Sequence, residues 1–210
     1  MNKRYYIIII VAVMAVLILI KVLSQKSDYA AFTEKRAMRG NLESSIVIVE
    51  WSDFECPACG EAYALIEKIF EQYQGKVKFV YRHFPLPYHR YAYQAAVASE
   101  CAQDQGKFWD YYNQLFQNQK NLTNNDLKKY ADLAGFDQEL FNDCLDSEVK
   151  EKVVDDDLRE AKRLNLSFTP SIFINGQLVE DWQKLPEVLQ LLADPASAAA
   201  DQPSATSTSK

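Results

Sequence analysis

The sequence predicts an α/β fold: a strand–helix–strand unit and a later β-hairpin with a closing helix, split by an all-helical insertion. An N-terminal transmembrane helix is expected to precede it. Three observations carry this reading. Two β-branched runs, residues 45–51 and 77–81, bracket a stretch with a single apolar face. The β signal then vanishes from His89 to about Leu166. It returns at residues 171–174, directly before an Asn-Gly turn.

The elements follow in order. Residues 5–20 are unbroken apolar sequence after Lys3 and Arg4, and Val22-Leu23 extend the run past Lys21. About 18 residues at ~1.5 Å each reach ~27 Å, close to the hydrocarbon thickness of a bilayer. Residues 1–23 therefore read as an uncleaved single-pass anchor, with a cleaved signal segment as the alternative. Either way the remainder is exported. Residues 24–40 are polar and charged and read as a linker or peripheral helix. Residues 46–51 suit a strand covered on both faces. Ala62, Leu65, Ile66, Ile69, Phe70 and Tyr73 form a helical stripe that ends at Gly75, and 77–81 alternate into a second strand.

In the insertion, Ala92, Ala95, Ala96 and Ser99 suggest a closely packed helix. Gly106 breaks the pattern, Thr123 with Asp126 marks a helix start, and Gly135 a stop. Another helix is expected from Asp137 through Cys144 and Leu145. Asn175-Gly176 turns the hairpin into 177–179, and a last helix follows with Pro186 in its first turn. Val188, Leu189, Leu191 and Leu192 are expected to face inward. From Asp194 on, Ala, Ser, Thr, Pro and Asp dominate, and the tail is expected to be disordered. The expected domains are thus 41–87 with 168–193, the helical insertion 88–167, and the tail 194–210.

Composition narrows the function. The 210 residues are 48% apolar, ample for one core, with a net charge of −6 and no polybasic stretch, so nucleic-acid binding has no support. Four cysteines make neither a dense disulfide scaffold nor a paired zinc site. With no second close ligand pair among Cys101, Cys144, His83 and His89, no metal is expected. No nucleotide or flavin motif is present either, and no cofactor is expected.

The chemistry concentrates at Cys56-Pro57-Ala58-Cys59, between the first strand and the amphipathic helix. Two thiols three positions apart on a helix's first turn can close a small disulfide. The helix dipole and the free N–H groups there favour an anion and lower the pKa of the first thiol. Cys56 is the expected nucleophile and Cys59, one turn in, the more buried partner. Pro57 rigidifies the turn. An inert local bridge is the bland alternative for the pair.

Glu50 shares a strand face with Ile46 and Ile48 and is expected to point inward, where it could exchange a proton with Cys59. A hydrated end-of-strand glutamate is the alternative. Thr169-Pro170 opens the second β region, where a proline cannot join the ladder and an irregular peptide is plausible. Cys101 and Cys144 are expected to form a structural bridge worth up to ~4 kcal/mol in the chain-entropy model. Two buried thiols or a redox relay are the alternatives. His83 and His89 read as packing residues or, less readily, substrate contacts. Trp109, Phe108 and Phe116 read as insertion core, and Tyr88, Tyr91 and Tyr93 as core, surface or docking rim. Asp53 and Glu55 are either solvated surface charges or repellents of the Cys56 thiolate.

Taken together, five segments resemble the DsbA-like branch of the thioredoxin superfamily: 49–59 (VEWSDFECPAC), 81–86 (YRHFPL), 100–109 around Cys101, 141–145 (FNDCL) and 168–176 (FTPSIFING). The resemblance covers about residues 38–192. It implies a thioredoxin fold with an inserted helical domain and extracytoplasmic thiol:disulfide exchange that forms disulfides in exported proteins. By position, Cys56 matches the attacking cysteine, Cys59 the resolving one and Glu50 the family's buried acid. Pro170 matches the cis-proline, and Thr169 the residue whose backbone pairs with substrate. Membrane-anchored relatives carry a cysteine pair in the helical domain, in line with Cys101 and Cys144. The resemblance also implies a bacterial membrane location, exported thiol proteins as substrates, and a quinone-linked reoxidase of the DsbB or vitamin-K-epoxide-reductase type as partner. A reductase or isomerase on the same fold is the nearest alternative; a tethered binding module or chaperone is the more distant one. One departure stands out. The strongest oxidases of the family carry histidine before the second cysteine, and Ala58 here implies a milder oxidant.

Overall fold

The computed structural model of the chain describes residue 6 and residues 9–17, 36–73 and 75–193. The expected tail, most of the linker and both ends of the expected anchor lie outside them. The chain divides into two units, Met1–Arg36 and Ala37–Lys210. In the first, residues 9–17 are helical. Among the described residues no helix is long and apolar enough to cross a membrane.

The second unit is built on a five-stranded mixed sheet. Its strands are β1 (Met38–Gly40), β2 (Ile46–Ser52), β3 (Val77–His83), β4 (Ser171–Ile174) and β5 (Gln177–Leu178), in the order β1-β3-β2-β4-β5. β2 and β3 are parallel and are joined by helix α1 (Pro57–Tyr73); every other pairing is antiparallel. A parallel pair needs a crossover, and α1 supplies it. The hairpin β4–β5 turns on Asn175 and Gly176, both at positive φ (49° and 82°), the geometry that Asn-Gly adopts most readily.

Strand β1 departs from the expected linker. Its three residues pair with β3 from Met38 opposite Val80 to Gly40 opposite Lys78. The Arg39 guanidinium pairs with Glu67 of α1 and lies 4.2 Å from the Phe70 ring centroid and 4.5 Å from that of Trp109. A strand this short and charged has no period-2 apolar signal. It is held by edge hydrogen bonds and by one arginine stacked on aromatic rings.

Five helices fill the insertion: α2 (Ala92–Asp104), α3 (Phe108–Gln117), α4 (Asn124–Leu133), α5 (Gln138–Asp146) and α6 (Glu151–Arg163). Thr123 and Asp126 form a reciprocal capping box at α4, and Asp137 caps α5 through the Leu140 N–H. The small residues of α2 are all buried, which lets its neighbours approach closely. A disulfide joins Cys101 of α2 to Cys144 of α5.

These helices are not a separate body. Phe54, Cys56, Cys59 and Tyr81 share one apolar cluster with residues of α2, α3, α4, α5 and α6. Trp109 is not insertion core alone: it touches both core clusters and donates from Nε1 to the Met38 carbonyl, 3.1 Å away. α6 reaches the sheet through Asp157, whose carboxylate pairs with Arg82 at 2.9 Å, both side chains being buried.

A second cluster places α1 and α7 (Leu185–Ala193) against Ile48, Val77, Phe79, Ile172 and Ile174. In α7 the inward residues are Leu185, Leu189 and, in part, Val188, whereas Leu191 and Leu192 are exposed. The 3.6-residue period carries Leu191 to the far side, and Leu192 sits at the fraying end. Of the four expected inward residues, Leu189 is buried and Val188 partly so, and Leu191 and Leu192 are not.

Candidate active site

Strand β2 ends at Ser52, and the chain turns through Asp53, Phe54 and Glu55 into α1. The Cys56 carbonyl accepts the first helical hydrogen bond, from the Gly60 N–H at 3.1 Å, so Cys56 caps the helix. Pro57 follows at the first helical position, where its missing N–H costs nothing. Both thiols are free in this structure, and both are buried.

Their environments differ sharply. The Cys56 thiol is pulled down from about 9 to about 5. The hydrogen bond from the Cys59 thiol contributes most. Burial opposes it, and the Thr169 hydroxyl and the amides of Cys59 and Ala58 help. The helix-start amides expected from the sequence are present, but they rank behind the neighbouring thiol. Cys59, with no exposed surface, moves the opposite way. Burial raises it first, then its bond to Cys56 and the negative charge at Glu50. At neutral pH the pair therefore holds one thiolate at Cys56 and one proton on Cys59.

Opposite the pair stands Thr169-Pro170, joined by a cis peptide. The Cys56 Sγ lies 3.7 Å from the Thr169 carbonyl oxygen. Pro170 precedes β4, so the loop ends where the ladder begins. Next to it, Phe168 is exposed.

Glu50 is fully buried, with Tyr81 and Ile172 as its partners on the strands either side. Neither carboxyl oxygen has a close hydrogen-bond partner. Burial lifts its pKa from 4.5 to about 8, and the Ser52 hydroxyl and the Arg39 charge offset this only in part. A group poised near neutrality beside Cys59 can hold or release a proton as the sulfur changes charge.

The other flanking residues take structural parts. Asp53 is not a surface charge. Its buried carboxylate accepts from the Leu86 N–H and the His89 Nδ1, both at 2.7 Å, and from the Glu55 N–H. Glu55 in turn accepts from the Tyr91 N–H. Together they fasten the 84–91 loop beside the active-site turn. His83 is buried against Glu100, with Nε2 2.8 Å from the carboxylate. Of the three tyrosines, Tyr88 is exposed, while Tyr91 and Tyr93 pack in part against the core.

Gln119 is a contributor that sequence reasoning missed. It lies in the turn after α3, and its Nε2 donates to the carbonyls of Phe54 (3.0 Å) and Cys56 (2.8 Å). A lone glutamine in a polar turn, 60 residues beyond the thiols, carries no sequence signal. Among the described residues no cluster of His, Cys, Asp and Glu is placed to hold a metal ion.

Comparisons with known proteins bear on the family and the fold. A thioredoxin family model matches residues 33–194. The Na(+)/H(+) antiporter NhaA 1 of Mycolicibacterium vanbaalenii is 39% identical over 143 residues, 66% of this chain and 23% of that protein. The chain thus spans about a quarter of the length of the curated relatives it matches. Among solved structures, oxidised BdbD from Bacillus subtilis superposes with a TM-score of 0.68 and 24% identity, covering 75% of this chain and 90% of that one. The thiol-disulfide exchange protein alpha-DsbA2 from Wolbachia pipientis gives 0.70 and 20%, covering 80% and 94%. At such identities the likeness is one of fold, and that fold is DsbA-like. With the family model matching well over half its length, the chain belongs to the thioredoxin family.

Proposed function

We propose that the protein is an extracytoplasmic thiol:disulfide oxidoreductase that forms disulfides in exported proteins. The observation that carries this reading is the opposed pair: a thiolate at Cys56 and a protonated Cys59, beneath Thr169-Pro170 and backed by Glu50.

In the oxidised enzyme, a substrate thiolate attacks the Cys56 sulfur. The Cys56–Cys59 bond breaks, Cys59 leaves as a thiolate, and Glu50 in its acid form supplies the proton. The bound substrate segment lies along the Thr169 backbone in a strand-like pairing. A second substrate thiolate then attacks the substrate sulfur of the mixed disulfide and expels Cys56. A thiol with a pKa of about 5 is a good leaving group, so this step favours release of the oxidised substrate. The substrate loses two electrons and two protons. The enzyme keeps both electrons; one proton passes from Glu50 to Cys59 and is replaced on Glu50 from solvent, and the other substrate proton stays in solvent.

The apolar run 5–20 supports an N-terminal membrane anchor with the catalytic unit outside. A quinone-linked membrane oxidase would then restore the disulfide. Ala58 leaves Cys56 without the ring that stabilises the thiolate in the strongest oxidases, which favours a milder one. Cys59→Ala tests the assignment. It removes the resolving sulfur and should accumulate mixed disulfides through Cys56 with exported thiol proteins. Absence of such adducts, with Cys56 still reactive to small thiol reagents, would point instead to a binding module.

A further inference from the structure

Among the contacts from the helical layer to the active-site turn, one reaches the backbone of the nucleophile. Gln119 Nε2 donates to two carbonyls of the turn, Phe54 and Cys56, and the second belongs to the nucleophile itself. The rest of the amide lies against Gly60. A Cβ at Gly60 would stand 2.2 Å from Gln119 Oε1 and 2.9 Å from its amide carbon. A side chain after Cys59 would therefore displace the Gln119 amide from its place. Next to this grip, α1 and α3 touch again: Tyr63 donates to Asn113 at 3.2 Å and stacks on Phe116 with centroids 5.1 Å apart.

We propose that Gln119 is the positioning residue through which the helical layer sets the reactivity of Cys56. It fixes the turn so that the Cys59 thiol and the first amides of α1 converge on the Cys56 sulfur. The inference rests on the dithiol-exchange reading, yet its first readout, the titration of one thiol, needs no substrate. Donation to the Cys56 carbonyl, which also accepts from the Gly60 N–H, locks the N-cap residue from outside the helix. If the grip is lost, the turn gains freedom, the converging donors are held less closely, and the thiolate is less favoured.

The test compares Gln119→Ala, Gln119→Glu and Gly60→Ala in the full chain. The readouts are thiolate absorbance against pH, the exchange rate with a model peptide disulfide, and thermal unfolding. Gln119→Ala should raise the Cys56 titration midpoint and slow exchange roughly three- to tenfold at about pH 5 and below, where the thiolate population limits the rate, the scale of one or two hydrogen bonds. Gln119→Glu keeps the shape but loses the donor and sets a charge against two carbonyls, so it should shift the midpoint at least as far. Gly60→Ala pushes the amide away and should reproduce the loss. The double variant Gly60→Ala/Gln119→Ala should be no worse than the more affected single, since both break one contact. An unchanged midpoint in Gln119→Ala would overturn the proposal. So would a wild-type midpoint in Gln119→Glu, which would reduce Gln119 to a space-filling role. A wild-type protein that exchanges no disulfide, with the midpoint shifts intact, would instead refute the oxidoreductase reading and leave the positioning role standing.

Discussion

Cys56 and Glu50 titrate on opposite sides of neutrality, and each sets its own pH dependence. Cys56 reacts as the thiolate, so its alkylation rate should be half-maximal near pH 5 and flat well before pH 7. A rate still climbing through pH 8 would mean an ordinary thiol. Glu50 has a folded pKa of about 8, above its unfolded value, so its contribution to stability is fully present below pH 4. It is lost as the pH rises toward 8, because the unfolded chain ionises the carboxyl first. Glu50→Gln should therefore stabilise the protein at pH 7, on the order of 3 kcal/mol, with the difference shrinking toward pH 4. The same variant should slow substrate oxidation by about tenfold or more and abolish the inflection near pH 8. Denaturant melts at both pH values and a pH–rate profile would check this pair of effects.

At the scale of elements, periodicity was the readable signal wherever burial is one-sided or complete. β2, α1 and β3 are visible in the sequence for that reason, whereas the Asn-Gly hairpin and the starts of α4 and α5 show through their turn and cap residues. β1 was not, because three residues cannot show a period and its anchor, Arg39, reads as a solvated charge. The far side of α7 was misjudged because leucines at a helix end look alike whether covered or not. Cys56, Cys59, Glu50, Thr169 and Pro170 were legible as a set, since a motif, a strand face and a proline at a strand start each leave a local mark. Asp53 and Gln119 were not, because apart from the Glu55 amide their partners lie 33 to 65 residues away in sequence. Asp53 now appears as the acceptor that holds the 84–91 loop. Asp53→Ala should cost about 2–3 kcal/mol by leaving the Leu86 and Glu55 amides and the His89 ring unpaired, measured by urea unfolding of the reduced protein. A loss below ~0.5 kcal/mol would show that water replaces it freely.

For the molecule as a whole, the helical layer and the sheet form one body. The Cys101–Cys144 disulfide strengthens that body away from the reactive pair. It closes a loop with a sequence separation of 43, so replacing both cysteines by serine should lower stability by up to ~4 kcal/mol. The Cys56 titration should stay where it was; a shift would make the second pair part of the redox chemistry. The central claim is that stabilising the Cys56 thiolate makes the reduced enzyme the favoured product, so that the Cys56–Cys59 disulfide draws electrons from substrate thiols. Equilibrating the Cys56–Cys59 pair with glutathione redox buffers at pH 7 tests this most directly. A reduction potential between about −180 and −120 mV is expected; a value near about −270 mV would contradict the account and make the protein a reductase.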